Sequence, residues 1–190
     1  MENKKIYIVL TRTKTILSKL IAAVKNDEYT HASISLDIDL NSMYSFGREF
    51  IYNPFIGRFV EENLNEGIFG IHNELKGLVL EIEVTYKQYE NIKKLLNKFI
   101  SNPKYYKYNY FGIINSLINK EYCCSNRFLC SEFVYYLLNE SGAAELNKPR
   151  NLVRPQDLLK LNGKVIYKGN LKNEYRYVIK NIINGEFLEQ

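Results

Sequence analysis

Residues 6–11 (IYIVLT) are apolar at nearly every position and rich in β-branched side chains, the pattern of a buried strand. From Thr15 the spacing changes: Ile16, Leu17, Leu20, Ile21 and Val24 fall on one helical face, with Thr13 or Thr15 placed to cap it. Residues 31–36 (HASISL) and 43–47 (MYSFG) read as two short strands. The Asp/Asn-rich stretch between them, residues 37–42, predicts a hairpin. Asn53-Pro54 to Gly57 marks a turn, after which Arg58-Phe59-Val60 begins another strand.

Residues 78–84 (LVLEIEV) carry a strong strand signal. Thr85 then caps a helix whose apolar positions Tyr89, Ile92, Leu95, Leu96 and Phe99 fit a 3.6-residue period, and Ser101-Asn102-Pro103 ends it. A tyrosine-rich segment (Tyr105, Tyr106, Tyr108, Tyr110) leads into a predicted helix over residues 111–118. Phe133, Val134, Leu137 and Leu138 share one stripe of a helix over residues 130–139, closed by Asn139-Glu140-Ser141-Gly142. Pro155 suits the first turn of a short helix through Leu161. Residues 164–167 and 175–179 are predicted as two closing strands. Strands and helices intermingle without a βαβ rhythm, and no repeat or linker divides them. The expectation is one α+β domain over residues 1–190, with a mostly antiparallel sheet.

Composition agrees with a single globular domain: 46% of the 190 residues are hydrophobic and 25% charged, which excludes a disordered or fibrous chain. No apolar run approaches the roughly 18 residues of a membrane-spanning helix, and the apolar run after Lys5 is short for a signal peptide. A soluble, cytoplasmic protein is the expectation. The net charge of +5 comes from scattered lysines without a basic run or nucleic-acid motif, so no nucleic-acid partner is expected. Charge leaves room for a weakly anionic partner or surface.

Cys123, Cys124 and Cys130 lie within eight positions. Their odd number and vicinal placement argue against a disulfide framework. Cys-Cys-x5-Cys lacks the spacing of a zinc site, and only two histidines, His31 and His72, could join it, so no metal is expected. Cys123 and Cys124 sit in a polar loop without an assigned role. Cys130 differs, because it opens an amphipathic helix whose dipole and unpaired N–H groups favour a thiolate and can hold an oxyanion. A lone cysteine more often packs as a small hydrophobe. His31 begins a strand among small neighbours, whereas His72 lies in a polar loop; His31 is therefore the candidate general base. Glu132 offers negative charge to the first turn of the Cys130 helix or a contact for a substrate amine.

Taken together, the His31 strand, the strand after it, Tyr108-Asn109-Tyr110-Phe111-Gly112 and Cys130-Ser131-Glu132-Phe133-Val134 resemble the circularly permuted NlpC-type, papain-like cysteine hydrolases. The YiiX/YycO-like branch and, more distantly, the lecithin retinol acyltransferase branch share this order, histidine before cysteine. The resemblance runs from the first strand to the helix after Pro155. It implies a papain-like core with Cys130 as nucleophile on a helix packed against the sheet that carries His31 as base. It also implies a third polar residue on the next strand, which falls at Ser45, where an imidazole, amide or carboxylate is usual; Glu49 and Asp37 are the substitutes. Tyr108, Asn109 and Tyr110 would shape the substrate pocket, with Asn109 in place of an aspartate. The implied activity is a cysteine peptidase, amidase or acyl transfer on a peptide, isopeptide or acyl lipid, without a cofactor. The rival is a catalytically silent binding module on the same scaffold, with a nucleic-acid binder third.

Overall fold

The structure, a computed structural model, describes residues 3–12, 27–48, 57–71, 73–172 and 174–183. The helix expected from Thr15, most of the turn after Asn53, and both Glu49 and His72 lie outside the described residues. Among the described residues, eight strands form one sheet in the order β7-β6-β4-β3-β2-β1-β5-β8. They are β1 (Lys4–Thr11), β2 (His31–Ser35), β3 (Met43–Arg48), β4 (Gly57–Glu62), β5 (Lys76–Val84), β6 (Lys107–Tyr108), β7 (Arg127–Phe128) and β8 (Lys164–Asn170). Every pairing is antiparallel except β6 with β7.

β1 is buried because both its faces are covered. Ile6, Ile8 and Leu10 enter one core with Ala32 and Ile34 of β2 and Leu80 and Ile82 of β5. Tyr7 and Val9 enter a second core on the opposite face. The first core is completed by α2 (Tyr86–Ser101), through Ile92, Leu96 and Phe99, and by α4 (Cys130–Glu140), through Phe133, Val134, Leu137 and Leu138. Thr85 caps α2 as expected: its Oγ1 accepts the Gln88 N–H, and Gln88 Oε1 accepts the Thr85 N–H at 2.8 Å. The second core is covered by the short helix α1 (Gly67–Gly70), through Phe69, and by α5 (Glu174–Ile183), through Tyr175 and Ile179.

α5 corrects the expectation of a closing strand over residues 175–179. Tyr175, Tyr177 and Ile179 alternate as a strand would, but Tyr177 is exposed while Tyr175 and Ile179 are buried, the i, i+4 pair of one helical face. Glu174 in the first turn and Lys180 in the last also suit the helix dipole. β6 and β7 are two residues each, too short for a periodic signal, and their parallel pairing is set by the helix α3 (Tyr110–Leu117) and the loop between them. Among the described residues no helix is long and apolar enough to cross a membrane.

Residues 27–30, which lead into β2, are clamped by the 3-10 helix Pro155–Lys160. Gln156 Oε1 accepts the N–H groups of Glu28 (3.2 Å) and Tyr29 (3.3 Å), and Arg154 Nη1 donates to both carboxylate oxygens of Asp27 at 2.9 and 3.1 Å. Buried Asp157 anchors that helix by accepting Lys148 Nζ (2.6 Å), the Arg154 N–H (3.0 Å) and Lys160 Nζ (3.2 Å). Burial alone would raise the Asp157 carboxyl, but Lys148, the Arg154 N–H and Lys160 outweigh it and lower it to about 2. A depressed carboxylate stabilises the fold above its unfolded value and loses that contribution as pH falls through the folded one. Asp157→Asn is expected to cost about 2 kcal/mol at neutral pH and almost nothing near pH 2. Urea unfolding of both proteins at the two pH values checks this.

Candidate active site

Cys130 opens α4 and is buried, 8% exposed. The turn that presents it is fixed by two other segments, at Asn109 and at residues 150–153. Glu132, fully buried, accepts the Leu129 N–H (3.0 Å) and Asn109 Nδ2 (3.1 Å) on one oxygen and Arg150 Nε (2.9 Å) on the other. Ser131 Oγ donates to the Val153 carbonyl at 2.6 Å. Burial raises the Glu132 carboxyl above its ordinary value even though Asn109, Arg150 and the Leu129 N–H all favour the charge. Of the two roles open to Glu132 in the sequence, the structure shows the one at the helix start: its carboxylate is turned inward.

The Cys130 thiol is one of the groups that act on the His31 imidazole, and its influence raises the imidazole. Its Nε2 lies 2.9 and 3.1 Å from the two carboxylate oxygens of Glu62, at the end of β4. Ser33, two residues along β2, donates its hydroxyl to Glu62 Oε2 at 2.5 Å and so fixes the carboxylate. Phe69 stands edge-on to the imidazole with ring centroids 6.0 Å apart. Side-chain exposures of 12% for His31 and 15% for Glu62 keep this pair away from bulk water. Burial by itself pulls the imidazole down; the Glu62 charge, the Cys130 thiol and the hydrogen bond to Glu62 outweigh it and hold His31 well above its ordinary value. A raised histidine stabilises the fold below its unfolded value, and that contribution is lost as pH rises through the folded one.

Glu62 is the residue that sequence reasoning missed, and the reason is geometric. β4 neighbours β3, not β2, so its side chains reach His31 only across the intervening strand. Gly47 on β3 provides the gap: a Cβ there would lie 3.2 Å from Glu62 Oε1 and 3.6 Å from His31 Cε1. A glycine inside a strand marks such close approaches, and this one was the available signal.

Ser45 does not fill the place expected of it. It is fully buried, and its hydroxyl donates to the Ala32 carbonyl at 2.7 Å, a strand-to-strand tie, while Glu62 occupies the imidazole. Asp37 lies in the β2–β3 turn, where its Oδ1 accepts the Asn41 N–H, and Glu49 is outside the described residues. Asn109 is a buried strut: its Oδ1 caps α3 through the Gly112 N–H (2.9 Å) while its Nδ2 reaches Glu132. Tyr108 does lie beside the site. Burial first, then the charges of Cys130, Tyr110 and Glu132, raise its hydroxyl well above the usual value, so it remains a phenol. Tyr110 Oη accepts the Gly57 N–H at 2.7 Å, and the Tyr108 ring covers the same glycine. Cys123 is exposed and Cys124 half-buried.

The arrangement joins a thiol at a helix start, an imidazole on which that thiol acts, and a carboxylate at the imidazole Nε2. Such a chain can generate and orient a sulfur nucleophile. Comparison with family models, curated proteins and solved structures gives no match for this chain.

Proposed function

We propose that the chain is a cysteine hydrolase or acyl-transfer enzyme of the permuted NlpC-type, papain-like kind, acting on an amide, isopeptide or ester bond. One observation carries the reading: His31, its Nε2 held 2.9 Å from the Glu62 carboxylate, has the Cys130 thiol among the groups that act on its imidazole. His31 takes the Cys130 proton, and Glu62 holds the ring in place and balances the imidazolium. The thiolate attacks the carbonyl carbon. The first N–H groups of α4 lack intrahelical acceptors and face the developing oxyanion. The tetrahedral species collapses as the imidazolium gives its proton to the leaving amine or alcohol, which leaves an acyl-thioester on Cys130. Water, deprotonated by His31, then releases the acid and regenerates the thiol; an amine or hydroxyl acceptor gives transfer instead. Glu62 acts as a positioning residue throughout.

Site-resolved alkylation followed by mass spectrometry from pH 5 to 9 tests the pair. Cys130 is expected to label near pH 6 at least about tenfold faster than Cys123 or Cys124, despite its burial, and to lose that advantage in His31→Ala. Slow, equal labelling of all three cysteines in both proteins would sink the enzyme reading and leave a binding module on this scaffold.

A further inference from the structure

Among the described residues, α3 and the residue that closes it carry three of the four most exposed large hydrophobic side chains. Phe111, Ile114 and Ile118 are 61%, 61% and 68% exposed. On a helix with 3.6 residues per turn they fall on one narrow stripe, continued past the C-terminal end of α3 by Ile118. The opposite side of α3 buries Gly112 and Ile113. Tyrosines flank the stripe: Tyr110 at its start, and Tyr122, whose ring centroid lies 6.2 Å from that of Phe111. Such rings suit a boundary between apolar and wet surroundings.

The flanks are basic. Residues 104–127 contain Lys104, Lys107, Lys120 and Arg127 against one acid, Glu121. Lys107 lies on β6 just before α3, and Lys120 on the turn that closes it, where its N–H meets the Asn115 carbonyl at 2.8 Å. All three lysines are exposed. A second copy of the chain would bring like charge against like charge across a two-fold contact. An anionic surface meets both the stripe and its rim.

We propose that this face of α3 docks the protein on an anionic lipid surface, with the helix lying in the plane of the headgroups. The apolar stripe enters the acyl boundary while Lys104, Lys107 and Lys120 contact lipid phosphates. Docking would also set the Cys130 site at that surface. Asn109 caps α3 and hydrogen-bonds Glu132 in the first turn of α4, so the starts of the two helices are joined by one buried side chain. Presentation of a membrane-borne amide or ester to Cys130 rests on the enzyme reading; the docking itself does not.

Flotation of the full chain with vesicles of equal parts phosphatidylglycerol and phosphatidylcholine tests it. Wild type is expected to float with these vesicles and to be released by high salt, and to bind pure phosphatidylcholine far more weakly. Ile114→Asp/Ile118→Asp is expected to lower the bound fraction at least about tenfold. Lys107→Glu/Lys120→Glu should do so through charge alone, keeping the test sound if the first variant unfolds. Cys130→Ala should bind like wild type, which separates docking from catalysis. No flotation of wild type, or flotation unchanged in both variants, overturns the proposal. So does a wild-type dimer that Ile114→Asp/Ile118→Asp dissolves, which would make the face a self-interface.

Discussion

Glu62→Gln is expected to drop the His31 titration below its ordinary value and, on the proposed function, to lower kcat/KM by about a hundredfold or more. Burial is the strongest influence on this imidazole and acts to neutralise it; the Glu62 carboxylate is the strongest influence in the other direction. Glutamine keeps a hydrogen-bond acceptor near Nε2 but removes the charge, so burial prevails and the imidazole is neutral at neutral pH. Proton NMR titration of His31 and the pH dependence of Cys130 alkylation both read this directly. Ser45→Ala is the matched control. It removes only the tie to the Ala32 carbonyl, at a cost of about 1 kcal/mol in stability, and should leave the His31 titration where it was. Collapse of that titration in Ser45→Ala with Glu62→Gln unaffected would reverse the assignment.

Arg150→Met is expected to destabilise the fold by about 3–5 kcal/mol at neutral pH, because it leaves a fully buried carboxylate without its counter-charge. Arg150 also packs over Phe128, 4.6 Å from the ring centroid, and donates Nη2 to the Cys124 carbonyl at 2.6 Å. It therefore ties the cysteine loop to the start of α4. The pH dependence distinguishes lost charge pairing from lost packing. Burial already raises the Glu132 carboxyl, and without Arg150 it rises further. The folded variant then takes up a proton on Glu132 more readily than the unfolded chain does. Its deficit should shrink toward acid pH and grow toward alkaline pH. Urea unfolding at pH 5 and pH 8 measures the difference. Arg150→Met/Glu132→Gln should recover much of the stability, since a neutral pair has less to desolvate. A deficit independent of pH, with no recovery in the double variant, would assign Arg150 to packing alone.

The strand-rich, α+β character of the chain was legible because burial writes itself into periodicity. The two-faced apolar run at residues 6–11 became the doubly covered β1, and the stripe after Thr85 became the buried side of α2. Residues 175–179 misled for the same reason in reverse: three apolar residues at alternate positions suit a strand, and only the exposure of Tyr177 shows that the chain is helical there. Of the candidate site, local chemistry named the cysteine and the histidine as candidates, one at a helix start and one at a strand start, and only the family resemblance paired them.

The sequence by itself determined the core-facing patterns and the two side chains whose chemistry depends on their own element. It could not choose the third. The place of Glu62 depends on the strand order β4-β3-β2, on the missing side chain at Gly47, and on Ser33 fixing the carboxylate. These are contacts between residues 15 to 31 positions apart, decided by which strands lie side by side rather than by any local pattern. The inward turn of Glu132 is of the same kind, because a buried carboxylate is tolerated only where the fold delivers Arg150 and Asn109 to it.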